Sequence, residues 1–168
     1  KTDRFRLRKE AEILSRIRHP RIPRFLDFDE KRTCSQLIVE LIRGVSLGSV
    51  IRSGGVVPDV WRSEITDAVE SLHNLGWNHA DLKPGNILID GAHAYLLDLN
   101  SAAPHGELYS KLPDRSFTPS FAAWGQVAGK GKVSPSDDLF SFALTDFVET
   151  YRRHPFDGRS VLEMFLLG

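Results

Sequence analysis

One short stretch of the chain concentrates side chains that could do chemistry. Residues 79–86 have the sequence HADLKPGN, and a further carboxylate, Asp98, follows the next apolar run. A carboxylate such as Asp81 can orient a hydroxyl and accept its proton, and the Lys83 ammonium can supply counter-charge for phosphates. Amide and carboxylate oxygens, here those of Asn86 and Asp98, are ligands for Mg²⁺. Phosphoryl transfer is a reaction that needs these three contributions.

Each of these residues also has an ordinary structural explanation. Taken alone, Asp81 would be a capping residue, Lys83 a solvated surface charge, and Asp98 the cap of a turn after its strand. The joint pattern argues against these explanations, because three independent coincidences would be needed. Four other histidines lack the spacing of metal ligands and are interpreted as surface or packing residues: His73, His93, His105 and His154.

The elements before this stretch are predicted to be a helix, a hairpin and a second helix. Apolar residues at helical spacing predict the first helix between residues 2 and 19. Two β-rich runs, residues 24–28 and 36–42, predict the hairpin. Proline at its start and glycine at its end bound the second helix within residues 58–76. Its predicted buried stripe is Trp61, Ile65, Ala68, Val69 and Leu72.

The chemically active stretch runs into a second predicted hairpin. Residues 86–90 and 94–99 predict two small strands around a turn at Gly91, so the functional groups lie at both ends of this hairpin. Residues 100–132 show no convincing period and predict a long irregular segment, of a length that is usually functional or mobile. A third helix is predicted to begin at Pro135 and to bury Leu139, Phe142, Ala143 and Phe147.

Composition limits the class of protein. A chain of 168 residues with 41% hydrophobic residues suffices for one core, so we expect a single globular unit. Lys+Arg and Asp+Glu both number 22, so no global field favours nucleic acid or an anionic membrane as a partner. No apolar run approaches the ~18 residues of a membrane span. The single cysteine, Cys34, excludes an internal disulfide and favours a reducing, cytoplasmic setting.

The motifs around the active stretch resemble those of one family. The string HADLKPGNIL, residues 79–88, resembles the catalytic loop of protein kinases, usually written HRDLKPxN. The string LLDLN, residues 96–100, resembles the strand end and metal-binding turn usually written DFG. Because the two matches occur in the right order around a predicted hairpin, the signal is strong. The resemblance implies an α+β fold of the protein-kinase-like two-lobe type.

The resemblance covers nearly the whole chain. It implies one partial kinase-like domain over residues 1–168, with residues 1–42 as the remainder of the small lobe and hinge and residues 43–168 as the large lobe. The small lobe would be incomplete, holding the regulatory helix and a hairpin. The glycine-rich loop and ATP-binding lysine of the family are expected before Lys1.

The resemblance also implies the roles of residues that act on phosphate. Asp81 would orient the substrate hydroxyl and accept its proton, and Lys83 would contact the γ-phosphoryl group of ATP. Asn86 and Asp98 would hold Mg²⁺. Two further residues would support the loop: His79 by bracing it and Asp138 through backbone contacts.

Nucleotide binding is implied for a second set of positions. Glu10 would be the carboxylate that pairs with the ATP-binding lysine. Val39 would be the gatekeeper, and the backbone of Glu40 and Ile42 would face the adenine. Hydrophobic alternation explains the residues around Val39 equally well, and a solvated helical glutamate is the ordinary explanation of Glu10.

Three departures from the family pattern bear on regulation and substrate. Ala80 replaces the arginine that reads a phosphorylated activation loop, so constitutive or partner-controlled activity is expected. Asn100 replaces glycine, and because asparagine tolerates left-handed backbone the turn is expected to survive. Residues 123–125, AWG, stand where the family has APE, so substrate choice is left open.

Three functions are compatible with the sequence. The first is an active serine/threonine kinase of minimal, bacterial or effector-like build, acting on a protein substrate in the cytoplasm or, as an effector, in a host cytosol. The second is a kinase-fold interaction module without catalysis, motivated by Ala80 and the unseen lysine. The third is a small-molecule kinase of the aminoglycoside or choline type, which shares the HxDxxxxN loop; the DLKP string counts against it.

Overall fold

The computed structural model describes residues 2–31 and 35–167, so Cys34 lies outside the described residues. The described chain combines helices with small antiparallel sheets, which confirms the predicted α+β class. The helices are α1 (Thr2–Arg16), α2 (Leu47–Arg52), α3 (Trp61–Asn74), α4 (Trp124–Ala128), α5 (Pro135–Tyr151) and α6 (Val161–Leu167). Short 3₁₀ turns span Pro84–Asn86, Leu99–Ser101 and Tyr109–Lys111. None of the described helices is long and apolar enough to cross a bilayer.

The strands form three small antiparallel sheets. They are β1 (Phe25–Glu30), β2 (Ser35–Val39), β3 (Val45–Ser46), β4 (Trp77–Asn78), β5 (Ile87–Asp90), β6 (His93–Leu96) and β7 (Ala103–Pro104). The first sheet pairs β1 with β2, the second has the order β3-β5-β6, and the third pairs β4 with β7. Both predicted hairpins are therefore present. The strand β2 ends at Val39 rather than at residue 42, and residues 40–42 continue as irregular backbone.

The second predicted helix is confirmed as α3, which buries the five residues of the expected stripe. Gly76 follows it with φ +82°, a conformation that glycine adopts without steric cost, and donates its N–H to the His73 carbonyl. Helix α2 was not predicted, because six residues that include Gly48 carry too little period. Its cap is Ser46, whose hydroxyl accepts from the Ser49 N–H.

Helix α5 begins where predicted, with a capping box between Ser134 and Asp137, but only part of the predicted face is buried. Leu139 is 60% exposed and Ala143 is exposed, while Phe142 is partly buried. The residues that α5 buries are Asp138, Ser141, Leu144 and Thr145. The inward direction is set by a polar residue, because Asp138 hydrogen-bonds the loop after β4. Successive residues on a helix point about 100° apart, so Leu139 is turned away from the core.

The main core lies between α1, α3, the β5–β6 hairpin and the loop before β5. Its largest fully buried apolar side chains include Trp61, Ile65, Leu72, Leu82, Ile87 and Leu96. Leu82 belongs to the stretch singled out by the sequence, so the core anchors that stretch directly. A second, smaller cluster of Ala80, Ala103, Tyr109 and Val133 supports it from the side of the irregular segment.

Candidate active site

The loop between β4 and β5 brings three of the sequence-predicted residues into contact. The Lys83 ammonium donates to Asp81 Oδ2 at 2.6 Å. The side-chain amide of Asn86 donates to the Asp81 carbonyl at 2.9 Å and to Asp81 Oδ2 at 3.2 Å. These neighbours fix the direction of the Asp81 carboxylate. A group that orients a substrate hydroxyl must be fixed in this way.

Thr118 completes this cluster from the irregular segment. Its backbone N–H donates to Asp81 Oδ1 at 2.7 Å, and its hydroxyl accepts from the Lys83 ammonium at 2.6 Å. Both carboxylate oxygens of Asp81 therefore have donors. The sequence analysis did not include Thr118 in the site, because no spacing rule connects two positions 37 residues apart.

Asp138 supports the loop through the backbone contacts that the sequence predicted. It is 1% exposed; its Oδ2 accepts from the His79 N–H at 2.8 Å and its Oδ1 from the Ala80 N–H at 2.9 Å. The ring of His73 also donates to Asp138 Oδ2, at 2.8 Å. The interpretation of His73 as an ordinary surface or packing residue is therefore wrong, because its contact orients the carboxylate that supports the loop.

Ala80 adopts a left-handed conformation, φ +64°, that costs a non-glycine residue about 1 kcal/mol. Two contacts compensate: the Asp138 carboxylate accepts its N–H, and the buried Gln126 amide donates to its carbonyl at 2.6 Å. Gln126 lies just after the AWG segment. The amide of Gln126 thus connects that segment to the loop, a contact that no local pattern signals.

His79 links the loop to the end of β6. The ring is fully buried; Nε2–H donates to the Leu97 carbonyl at 2.9 Å, and Nδ1 accepts the Asp81 N–H at 3.2 Å. Since one nitrogen donates and the other accepts, these contacts fix the orientation of the ring. The geometry is that of a brace.

We expect Asp138→Asn to lower the free energy of unfolding by about 1–3 kcal/mol, because one of two buried N–H groups loses its acceptor and faces an amide. Urea unfolding compares the variant with wild type. Asp59→Asn, at an exposed carboxylate before α3, is the matched control. Equal unfolding midpoints for the two variants would contradict the supporting role of Asp138.

Asn86 and Asp98 both lie at the open end of the β5–β6 hairpin. The Asn86 carbonyl accepts the Leu97 N–H at 2.9 Å, which places Asp98 one residue further along. The left-handed residue of this turn is Asp98, φ +66°, rather than Asn100, which lies in a 3₁₀ turn. The Asp98 side chain is exposed, and only a weak bond at 3.4 Å, from the Asn100 N–H, engages it within the described residues.

The donor set fits a magnesium ion. Asn86 uses its amide nitrogen on Asp81, and its Oδ1 forms no hydrogen bond with the described residues, so this oxygen and the Asp98 carboxylate are both available as ligands. Within residues 2–31 and 35–167, no group of three His, Cys, Asp or Glu side chains could hold a metal ion alone. Mg²⁺ commonly takes one or two protein oxygens and completes its shell with phosphates and water.

Glu10 connects α1 to the same turn. Its Oε1 accepts the Leu99 N–H at 3.0 Å. Burial, and then the nearby Asp98 carboxylate, raise the pKa of Glu10 from its usual 4.5 to about 7. Beside it lies a cavity of about 370 Å³ between α1, β2 and the end of β6, lined mainly by apolar side chains that include Val39.

This raised pKa predicts a pH-dependent stability. Between pH 4.5 and 7 the folded chain keeps the Glu10 proton that the unfolded chain has lost, so the contribution of this group falls as pH rises. We expect wild type to lose roughly 1–3 kcal/mol more unfolding free energy across this window than Glu10→Gln. Denaturant titrations of the polypeptide of residues 1–168 at several pH values measure it. Glu12→Gln, at an exposed neighbouring glutamate, should follow wild type, and parallel curves for Glu10→Gln would contradict the assignment.

The segment after β2 offers unsatisfied backbone groups. The Glu40 N–H donates to the Arg24 carbonyl at 2.9 Å and so continues the hairpin. The Glu40 carbonyl and both backbone groups of Ile42 form no hydrogen bond with the described residues. Donors and acceptors without partners of this kind are what a planar heterocycle such as adenine requires.

Comparison with known proteins decides the family. A family model described as "Protein kinase domain" matches residues 1–166. The chain belongs to the protein kinase family. Among similar curated proteins, serine/threonine-protein kinase pkn2 of Myxococcus xanthus is 30% identical over 164 residues, covering 91% of this chain and 20% of that protein. Phosphoryl transfer is the chemistry of this family.

Plant kinases match at similar distance. CBL-interacting serine/threonine-protein kinase 12 of Arabidopsis thaliana is 27% identical over 165 residues, 95% of this chain and 34% of that protein. CBL-interacting protein kinase 19 of Oryza sativa subsp. japonica is 28% identical over 166 residues, 95% of this chain and 32% of that protein. The chain thus spans about a fifth to a third of the length of these relatives.

One further contact in this kinase-family chain joins α1 to the irregular segment. Arg6 forms a two-pronged ion pair with Asp114, whose side chain is 9% exposed, and this hydrogen bond is the main cause that lowers the pKa of Asp114. The position of α1 is therefore tied to the irregular segment by a carboxylate that needs no phosphorylation. The sequence did not reveal this pair, since its members are 108 residues apart.

Proposed function

We propose that this chain is the catalytic part of an active serine/threonine protein kinase, which transfers the γ-phosphoryl group of ATP to a hydroxyl of a protein substrate. The observation that carries the proposal is the cluster of Asp81, Lys83, Asn86 and Thr118. In it the Asp81 carboxylate accepts hydrogen bonds from the Lys83 ammonium, the Asn86 amide nitrogen and the Thr118 N–H, and the Thr118 hydroxyl accepts from Lys83. Membership in the protein kinase family and the names of its relatives support it.

In this mechanism Asp81 accepts a hydrogen bond from the substrate hydroxyl and takes its proton as the new O–P bond forms and ADP leaves. Lys83 places its positive charge against the γ-phosphoryl group, where negative charge accumulates. Asn86 Oδ1 and the Asp98 carboxylate would hold Mg²⁺, which would supply positive charge against the phosphates. Thr118 keeps Asp81 and Lys83 in their relative positions.

Nucleotide binding falls to the elements around the cavity beside α1. The Glu40 carbonyl and the backbone of Ile42 bind the adenine edge, since these groups are unsatisfied within the described chain. Glu10 pairs with the ATP-binding lysine of the family. Residues 1–42 then act as small lobe and hinge and residues 43–168 as large lobe. We place the activity in the cytoplasm, where ATP is available.

Position 80 is not arginine, and the Arg6–Asp114 ion pair takes over the role that this arginine has in the family. In this proposal a permanent carboxylate does the ordering that a phosphate does elsewhere, so activity does not wait for phosphorylation of the irregular segment.

The test is label transfer from γ-labelled ATP with magnesium, using the full-length protein and a panel of protein substrates of varied charge. Transfer by wild type and not by Asp81→Asn supports the proposal. Equal transfer by both would point to a contaminating kinase. No transfer, together with no nucleotide binding, favours a kinase-fold interaction module.

A further inference from the structure

A groove of about 400 Å³ opens directly beside the catalytic loop. Its walls are α2, the turn Pro84–Asn86 and the C-terminal end of α5 with the residues that follow. Lys83 lies on its wall, so the groove begins at the Asp81 cluster. A peptide that presents a hydroxyl to Asp81 would have to run past this groove.

The groove is lined by cations. Its charged or ionisable lining residues are Arg52, Lys83, Arg152, Arg153 and His154, and no lining residue is acidic. The whole chain has as many acidic as basic residues, so this is a local concentration of positive charge rather than a property of the composition. Such a surface favours anionic groups through its local field.

Two of these cations have no counter-ion within the described residues. Arg153 is exposed and forms neither a hydrogen bond nor an ion pair there. Arg52 is exposed and donates to the uncharged Ser49 hydroxyl at 3.1 Å, so its charge is not neutralised. Guanidinium groups bind carboxylates in a two-pronged geometry, and these two are available for it.

The other three are partly engaged. Arg152 lies 3.5 Å from the Glu149 carboxylate, which also accepts from Arg62 at 2.6 Å; Arg62 has a second partner in Asp146 at 2.6 Å, so Arg152 is partly neutralised. Lys83 is paired with Asp81 at 2.6 Å. The His154 ring donates to the Ser120 carbonyl at 2.8 Å and accepts the Phe156 and Gly158 N–H groups at its other nitrogen, so both ring nitrogens are engaged.

Local geometry fixes the cations relative to the reaction site. Arg152 ends α5 in a left-handed conformation, φ +55°, and directs the following residues toward the loop. The His154 bond to Ser120 and its edge contact with Phe121, at 5.2 Å between ring centroids, tie this end of α5 to the segment that carries Thr118. His154 is therefore more than the surface or packing residue that the sequence analysis expected.

We propose that this groove selects protein substrates with acidic residues close to the acceptor serine or threonine. The inference rests on the proposed kinase function and adds the substrate class. Glutamates or aspartates beside the hydroxyl would meet Arg52, Arg153 and the partly neutralised Arg152, whereas lysines or arginines there would be repelled.

The test uses three peptides that share one serine, flanked on both sides by glutamates, by alanines or by lysines, with the full-length protein. We expect kcat/KM to fall in that order, with the acidic peptide favoured over the neutral one by about five- to tenfold. Arg153→Glu combined with Arg52→Glu should abolish or reverse the ratio. Lys130→Glu, an exposed cation outside the groove, should keep the wild-type ratio. The preference should also shrink as ionic strength rises.

A binding measurement separates this inference from the kinase function. Fluorescence anisotropy of the labelled acidic peptide is recorded without ATP, for wild type and for the double variant, with thermal melting to show that both are folded. If wild type binds the acidic peptide tightly and the double variant does not, the proposed role of the groove is supported even without phosphoryl transfer. Phosphoryl transfer at equal rates to the acidic and basic peptides overturns the proposed selectivity of the groove but not the kinase function. Neither transfer nor charge-dependent binding overturns both.

Discussion

Asp81→Asn is expected to lower turnover by about 10²- to 10⁴-fold, the usual effect of removing one positioned acid or base, while ATP affinity is unchanged. The amide is almost the same size as the carboxylate and can still accept a bond from the Thr118 N–H or from Lys83. It cannot take the proton of a substrate hydroxyl. Steady-state kinetics with labelled ATP measure the loss, and nucleotide titration checks that binding persists.

Asp59→Asn is the control for this experiment, because it makes the same chemical change at an exposed position before α3. It should retain wild-type kinetics. A turnover for Asp81→Asn equal to that of the control would remove Asp81 from the mechanism. A loss of ATP affinity in parallel with turnover would instead show that the change disturbs the loop as a whole.

Asp98→Ala is expected to weaken magnesium-dependent nucleotide binding by at least about tenfold, since the site loses a carboxylate ligand. Alanine is also strained at φ +66°, so Asp98→Asn, which tolerates left-handed backbone, is the second variant. Calorimetric titration with a non-hydrolysable ATP analogue, with and without magnesium, separates metal-dependent from metal-independent affinity. Both variants should lose mainly the metal-dependent affinity.

Asp90→Ala is the matched control, because it removes a carboxylate from the opposite end of the same hairpin. It should bind nucleotide as wild type does. If wild type bound the analogue equally well with and without magnesium, or if Asp98→Asn were indistinguishable from Asp90→Ala, Asp98 would not be a metal ligand in this protein.

Much of the scaffold was predictable because it is locally encoded. The stripe of α3 follows from the 3.6-residue period, and the β5–β6 hairpin follows from two apolar runs around Gly91. The sequence also located Asp81, Lys83 and Asn86, whose contacts span at most five residues. Within such a short loop, spacing alone keeps the side chains near one another.

The sequence by itself determined the family, the α+β class and the loop that holds Asp81, Lys83 and Asn86. Only the tertiary structure decided what surrounds that loop: Thr118 on Asp81, His73 on Asp138, and Arg6 on Asp114, across 37, 65 and 108 residues. It also turned α5 so that Asp138, and not Leu139, faces inward. Period and turn chemistry act between near neighbours along the chain, whereas these contacts form only when packing brings distant segments together.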